Sequence, residues 1–221
     1  MFLLSEDLNF PSVQKANDDG LLAVGGDLST ERLLLAYKKG IFPWYNQGEP
    51  IMWYSPNPRM VLFPHQLKIS KSMKQVIQKN KFTVTYNQDF EGVISNCRNI
   101  FRVADQGKTW ITDEMEQAYI NLHKKGIAKS VEVWQHFDSA QYDKELVGGL
   151  YGVDLGTVFC GESMFSKVSN ASKLAFIKLT QKLEKENYKL IDCQVYNNHL
   201  ASLGATEISR DVFLTYLNLV R

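Results

Sequence analysis

Residues 130–161 carry the pattern that most limits how this chain can fold. Three strand-like runs, S-V-E-V-W, E-L-V-G-G-L-Y-G-V and G-T-V-F-C-G, follow one another with no helical period between them. Short, turn-rich links between such runs predict antiparallel hairpins. What comes next changes period. N-A-S-K-L-A-F-I-K-L-T-Q-K-L-E-K-E-N has the spacing of an amphipathic helix with Asn170 as its expected cap, and K-L-I-D-C-Q then reads as a buried strand.

Helices precede the hairpins. Ser29 or Thr30 caps a helix through Lys39, with Leu33, Leu34 and Tyr37 on one face and Gly40 as the stop. Ser70 begins a lysine-rich helix, K-F-T-V-T-Y alternates as a strand, and D-F-E-G-V-I-S-N-C is a short helix. Thr112 caps the clearest one, with acids in its first turn and Met115, Ala118, Tyr119 and Leu122 as its apolar stripe. Two short helices, Y-N-N-H-L-A-S-L-G-A and S-R-D-V-F-L-T-Y-L, close the chain. Helices, an antiparallel meander, then alternating helix and strand predict an α/β fold: a mixed α+β sheet covered on both faces, as in acyltransferases of the N-acetyltransferase type. Residues 1–60 are denser in proline and turn formers, so the expected division is a small N-terminal domain over 1–60 and a larger domain over 61–221.

Composition excludes several classes. At 44% hydrophobic and 22% charged, with 14 glycines and 6 prolines among 221 residues, the chain is neither disordered nor collagenous. The N-terminus lacks a basic region and meets two acids within its first seven residues, and no apolar run is long enough to span a bilayer, so a cytoplasmic protein without membrane contact is expected. Cys97, Cys160 and Cys193 are odd in number and far apart, which predicts reduced core thiols and no metal site. The net charge of +1 hides a segregation. Between Pro50 and Gln88 there is no Asp or Glu, while Arg59, Lys68, Lys71, Lys74, Lys79 and Lys81 all fall inside that window. Such a run is either a solvated helix face or a phosphate-backbone footprint. Trp44, Tyr45, Trp53 and Tyr54 lie nearby and Trp110 further on, either as core residues or as surfaces on which an unpaired nucleotide stacks.

Polar residues inside apolar runs mark where chemistry can sit. In L-I-D-C-Q, strand alternation puts Asp192 and Gln194 on one face and Cys193 on the other. Two readings stay open for Asp192: a cap or backbone-amide partner, or a group at a ligand site near a strand end. Glu162 in V-F-C-G-E-S-M-F-S either pairs with Lys167 or Lys173 or faces a cation. Ser163 does not complete a nucleophile elbow, because Phe165 stands where the second glycine is needed to close the turn. His199 and Asp192 add no diagnostic triad spacing.

Taken together, G-L-L-A-V-G-G-D-L-S, L-L-A-Y-K-K-G-I-F-P-W-Y, W-Y-S-P-N-P-R-M-V-L, I-S-K-S-M-K, T-W-I-T, A-Y-I-N-L-H-K-K-G, S-V-E-V-W, L-V-G-G-L-Y-G-V, F-C-G-E-S-M-F-S, N-A-S-K, L-I-D-C-Q and H-L-A-S-L-G-A form a collinear set over nearly the whole chain. That set resembles the bacterial leucyl/phenylalanyl-tRNA-protein transferases. The resemblance implies transfer of Leu or Phe, and less readily Met, from aminoacyl-tRNA to the α-amine of proteins beginning with Arg or Lys, which marks them for N-end rule degradation. It implies a small N-terminal domain before an N-acetyltransferase-like one, a monomer, and no cofactor or metal. Carried onto matching positions, it makes Asp192, Gln194 and Glu162 the catalytic residues and gives the terminal adenosine to Trp44 and Trp110. The aminoacyl side chain falls to Leu150, Phe159, Met164, Phe176, Leu179 and Leu183. With tRNA as the donor, the acid-free run of Lys68, Lys71, Lys74, Lys79 and Lys81 is the expected contact for its backbone. Three departures stand out: Tyr54 where the family usually has Trp, Asn57 where Asp is usual, and N-I-F-R-V-A-D-Q-G-K-T-W in place of a shorter acidic loop.

Overall fold

The computed structural model describes residues 2–100, 109–136 and 144–219; residues 101–108, most of the replaced acidic loop, lie outside the described residues. The opening segment contributes β1 (Phe2–Leu4), β2 (Leu21–Gly25), α1 (Thr30–Lys38), β3 (Phe42–Pro43) and β4 (Met52–Tyr54), and its strands form a four-stranded sheet in the order β1-β2-β4-β3. Ser29 accepts a hydrogen bond from the Arg32 amide to start α1, and Gly40 ends it with φ at +74°.

The larger part runs through β5 (Arg59–Leu62), α2 (Lys71–Gln78), β6 (Phe82–Tyr86), α3 (Phe90–Asn99), α4 (Asp113–Lys124), β7 (Ala128–His136), β8 (Lys144–Asp154) and β9 (Val158–Ser166). It finishes with α5 (Ala171–Lys185), β10 (Leu190–Gln194), α6 (Asn198–Ser202), β11 (Thr206–Ile208) and α7 (Arg210–Leu217). Seven strands make one mixed sheet, β11-β5-β10-β9-β8-β7-β6, in which β7, β8 and β9 form the antiparallel meander and β10 runs parallel to β9.

Alternation along these strands fills two cores. Tyr151, Val153, Val158 and Cys160 pack with α3, α4 and the opening segment, whereas Val131, Val133, Leu150, Phe159 and Ile191 pack with α2 and α5. The first of these cores runs without a break from Leu22 and Trp53 to Phe213.

One expected cap is replaced. Asn170 takes a left-handed backbone, φ +71°, and makes no side-chain cap; the Ser166 hydroxyl instead accepts from the Ser172 amide at 3.2 Å and donates to the Val168 carbonyl. An αL asparagine at the corner turns the end of β9 straight into α5, so the capping oxygen comes from the strand. Among the described residues, no helix is long and apolar enough to cross a membrane.

Candidate functional site

Two bulges in neighbouring strands open the site. β9 and β10 pair in parallel as far as Asp192 opposite Cys160, and past that point each departs from regular register. In β9 the pairing with β8 steps from Ser163 opposite Tyr151 to Gly161 opposite Gly152, leaving Glu162 as the extra residue. In β10 the pairing with β5 steps from Asp192 to Gln194, and Gln194 sits at φ +63°. A bulge re-aims side chains and ends pairing. Here two of them part the strands at Gly161 and Gln194, and a cavity of about 520 Å³ lies at the split, with both residues in its lining.

Despite the bulge, Asp192 and Gln194 both turn to the side of the sheet that carries Tyr37, Tyr119 and Phe213, and Cys193 turns to the other, as alternation predicts; they meet different partners there. Asp192 is 1% exposed and pairs with Arg59 in two parallel contacts, Nε to Oδ1 at 2.8 Å and Nη2 to Oδ2 at 2.7 Å. Its Oδ1 also accepts the Gln194 amide at 2.9 Å. Asp192 is thus a backbone-amide partner with a buried cation added, and it also belongs to the cavity lining. Arg59 is further held by its contact with the Gly40 carbonyl and by the rings of Phe42 and Phe213, at 4.8 and 4.7 Å.

Gln194 turns to Glu162. Its Nε2 donates to Glu162 Oε1 at 2.9 Å, so the amide NH2 is engaged and the carbonyl Oε1 is left as an acceptor at the cavity. Glu162 Oε2 accepts from the Tyr119 hydroxyl at 2.9 Å, and Tyr119 in turn shares a short hydrogen bond with Tyr37. Neither Lys167, which pairs with Glu145, nor Lys173 reaches this carboxylate. Burial lifts the Glu162 carboxyl to about 8; the Tyr37 and Tyr119 hydroxyls oppose that rise, Asp192 adds to it and Arg59 reduces it. Burial, and then the Glu162 charge, push both tyrosine hydroxyls upward, so they stay protonated donors. The site is a chain of held polar groups from α1 through α4 and β9 to β10.

Tyr37, Tyr119 and Arg59 are the residues that sequence reasoning missed. Each tyrosine was assigned to an apolar helix stripe, which accounts for its ring and leaves its hydroxyl without a partner. Arg59 gave a signal: an arginine opening the apolar run R-M-V-L needs a buried carboxylate.

Ser163 lies inside β9, paired with Tyr151, and not on a strand-to-helix turn. Burial and the nearby Lys173 charge lower the His199 imidazole, leaving it neutral at pH 7. The thiols of Cys160 and Cys193 are pushed up, chiefly by burial, and remain protonated.

Apolar residues complete the cavity. Leu150, Phe159, Met164, Phe176 and Leu179 line it, joined by Ile191. Leu183 does not belong to this lining; it is 3% exposed and packs into the core one helical turn further along α5. Trp44 and Trp110 belong to the same lining. Trp44 is 45% exposed, unlike the fully buried Trp53, and is backed by the Tyr54 ring at 5.7 Å. Tyr54 therefore supports an exposed indole from behind. Lys68, Lys71, Lys74, Lys79 and Lys81 are all exposed, away from the cavity lining.

Known proteins match this chain along almost its full length. A family model described as leucyl/phenylalanyl-tRNA protein transferase matches residues 61–218, and one for the N-terminal domain of the same proteins matches residues 26–57. The chain is 62% identical to the leucyl/phenylalanyl-tRNA–protein transferase of Flavobacterium johnsoniae, over 98% of this chain and 99% of that one. It is 57% identical to the protein of that name from Flavobacterium psychrophilum, with the same coverage. Among solved structures, FemX aligns with a TM-score of 0.53 at 10% identity, over 81% of this chain and 66% of that one, a likeness of fold alone.

Proposed function

Because this chain belongs to the leucyl/phenylalanyl-tRNA protein transferase family, we propose that it moves Leu or Phe, and less readily Met, from aminoacyl-tRNA to the α-amine of proteins beginning with Arg or Lys. The product carries a new N-terminal residue that marks it for N-end rule degradation in the cytoplasm. We read residues 1–60 as its small N-terminal domain and 61–221 as the catalytic one. The observation that carries the reading is the Glu162–Gln194 hydrogen bond at a cavity lined by both apolar side chains and the two indoles of Trp44 and Trp110.

The aminoacyl ester is already activated, so its aminolysis needs positioning and the loss of one proton more than a strong covalent catalyst. A free α-amine titrates near 7.7 to 8.0, and a sizeable fraction is neutral at physiological pH. Gln194 Oε1 accepts a hydrogen bond from that amine and aims its lone pair at the ester carbonyl carbon. The new C–N bond forms as the bond to the ribose 3′-oxygen breaks. The amine's proton passes to that oxygen, with the ribose 2′-hydroxyl as carrier.

Asp192 acts through Gln194 by holding its backbone amide, and Arg59 holds Asp192. With Asp192 held by Arg59, Glu162 is the acid left to face the acceptor: burial keeps its carboxyl largely protonated at pH 7, and the acceptor's cationic side chain beside it favours the ionised form. Trp44 and Trp110 take the terminal adenosine. Leu150, Phe159, Met164, Phe176 and Leu179 take the aminoacyl side chain, and a dry apolar pocket separates neighbouring aliphatic residues by only about 1–3 kcal/mol, which is why Met leaks in.

The test is transfer of radiolabelled Leu from leucyl-tRNA to a peptide beginning with Arg, beside one beginning with Gly. Label on the Arg peptide alone is expected. Label on neither, with tRNA still bound, would leave a binding module and overturn the reading.

A further inference from the structure

Lysines also cover the outer face of α5. Lys178, Lys182 and Lys185 recur at i, i+4 and i+7, on one side of the helix, while Phe176, Leu179 and Leu183 are buried on another. The helix that walls the apolar pocket is therefore basic where it faces away. Tyr86, at the end of edge strand β6, docks on that basic face: its hydroxyl donates to the Lys178 carbonyl at 3.3 Å, and the Lys182 ammonium lies 5.7 Å from its ring centre. With Gln181 and Glu186 these residues line a second cleft of about 340 Å³. Among the described residues Lys182 pairs with Glu186, whereas neither Lys178 nor Lys185 forms an ion pair.

The lysines of α2 are on the same side of the sheet. Val76 and Ile77 of α2 and the inner residues of α5 pack into one cluster with Phe82, Val84 and Tyr86 of edge strand β6. The stretch that supplies α2 and β6 brings no acid to it, since residues 50–88 contain neither Asp nor Glu. Along α5 and its C-cap only Glu184 and Glu186 counter the three lysines.

We propose that the RNA body of the aminoacyl-tRNA lies across this surface, with its phosphate backbone passing from Lys71, Lys74, Lys79 and Lys81 over Tyr86 to Lys178, Lys182 and Lys185. The proposal rests on aminoacyl-tRNA being the donor. Lysines act on phosphates as point charges and demand no fixed geometry, which suits a surface that must take several tRNAs of different sequence. Each phosphate contact contributes about 0.7 to 0.9 to the slope of log affinity against log salt.

The experiment compares wild type with a variant carrying Lys178→Gln, Lys182→Gln and Lys185→Gln, and with one carrying Arg at the same three positions. Two donors are used, leucyl-tRNA and 3′-O-leucyl adenosine, which has the ester and base but no RNA body. The Gln variant is expected to raise KM for leucyl-tRNA about tenfold at low salt and to lower the salt slope by about 2. Its rate with leucyl adenosine should match wild type, and the Arg variant should keep the wild-type slope. An unchanged KM and slope with leucyl-tRNA would overturn the proposal and leave the donor reading intact. Equal losses with both donors would overturn it too, by placing the defect in the cavity. Wild-type protein that uses neither donor would remove the donor reading and this proposal with it.

Discussion

Arg59 and Asp192 meet through two parallel contacts, at 2.8 and 2.7 Å, with each side chain 1% exposed. A pair this deep is held by mutual need. Removing one partner strands the other charge in the core, at a cost of about 3–5 kcal/mol.

Asp192→Ala is therefore expected to lower stability by about 3–5 kcal/mol as well as activity, whereas His199→Ala should be milder on both. Urea unfolding beside the transfer assay checks this. A wild-type unfolding midpoint with lost transfer would put Asp192 on the substrate instead of behind Gln194.

Glu162 predicts a pH signature. Its carboxyl is lifted from 4.5 to about 8 in the folded protein, so between those values the folded state binds more protons than the unfolded one. Stability falls as pH rises through that window. Glu162→Gln removes the titrating group, so its stability relative to wild type should improve steadily from pH 4.5 towards pH 8. Thermal melts at several pH values read this directly; parallel curves would mean the carboxyl titrates normally.

Leu179 and Leu183 sit one turn apart on α5, and only Leu179 lines the cavity. Truncating either to Ala costs about 2–5 kcal/mol by leaving a void. Only Leu179→Ala should change the ratio of kcat/KM for Leu over Phe donors. A changed ratio in Leu183→Ala would extend the pocket deeper than its present wall.

Lysine reversal on α2 tests the RNA footprint at its other end. Lys71→Glu with Lys74→Glu should weaken tRNA binding and flatten its dependence on salt. Titrations at several salt concentrations decide it, and an unaltered slope would place the backbone elsewhere.

Ser163 is expected to remain unmodified through turnover, because it stands in a paired strand and not on an exposed turn. Mass spectrometry of enzyme quenched during transfer should find no aminoacyl ester on it. Trapping one would replace direct aminolysis with a two-step route.

Local pattern alone determined the elements of this protein, since periodicity, caps and turn residues act over a few positions. Ser29, Ser70 and Thr112 each cap the helix expected of them, and the three strand-like runs pair as the antiparallel meander. Collinear motifs likewise disclosed the family. Asp192, Gln194, Glu162 and the two indoles were recognisable as a group, and they do line one cavity. What the tertiary structure decided was which polar group answers which. Strand alternation put Asp192 and Gln194 on one face, and they do turn the same way, but it is the packing around the β10 bulge that gives Asp192 to Arg59 and Gln194 to Glu162. Arg59 lies 133 positions from Asp192, and Tyr119 lies 43 from Glu162. Partnerships over such separations depend on how the sheet and helices pack, and no local spacing in the chain encodes them.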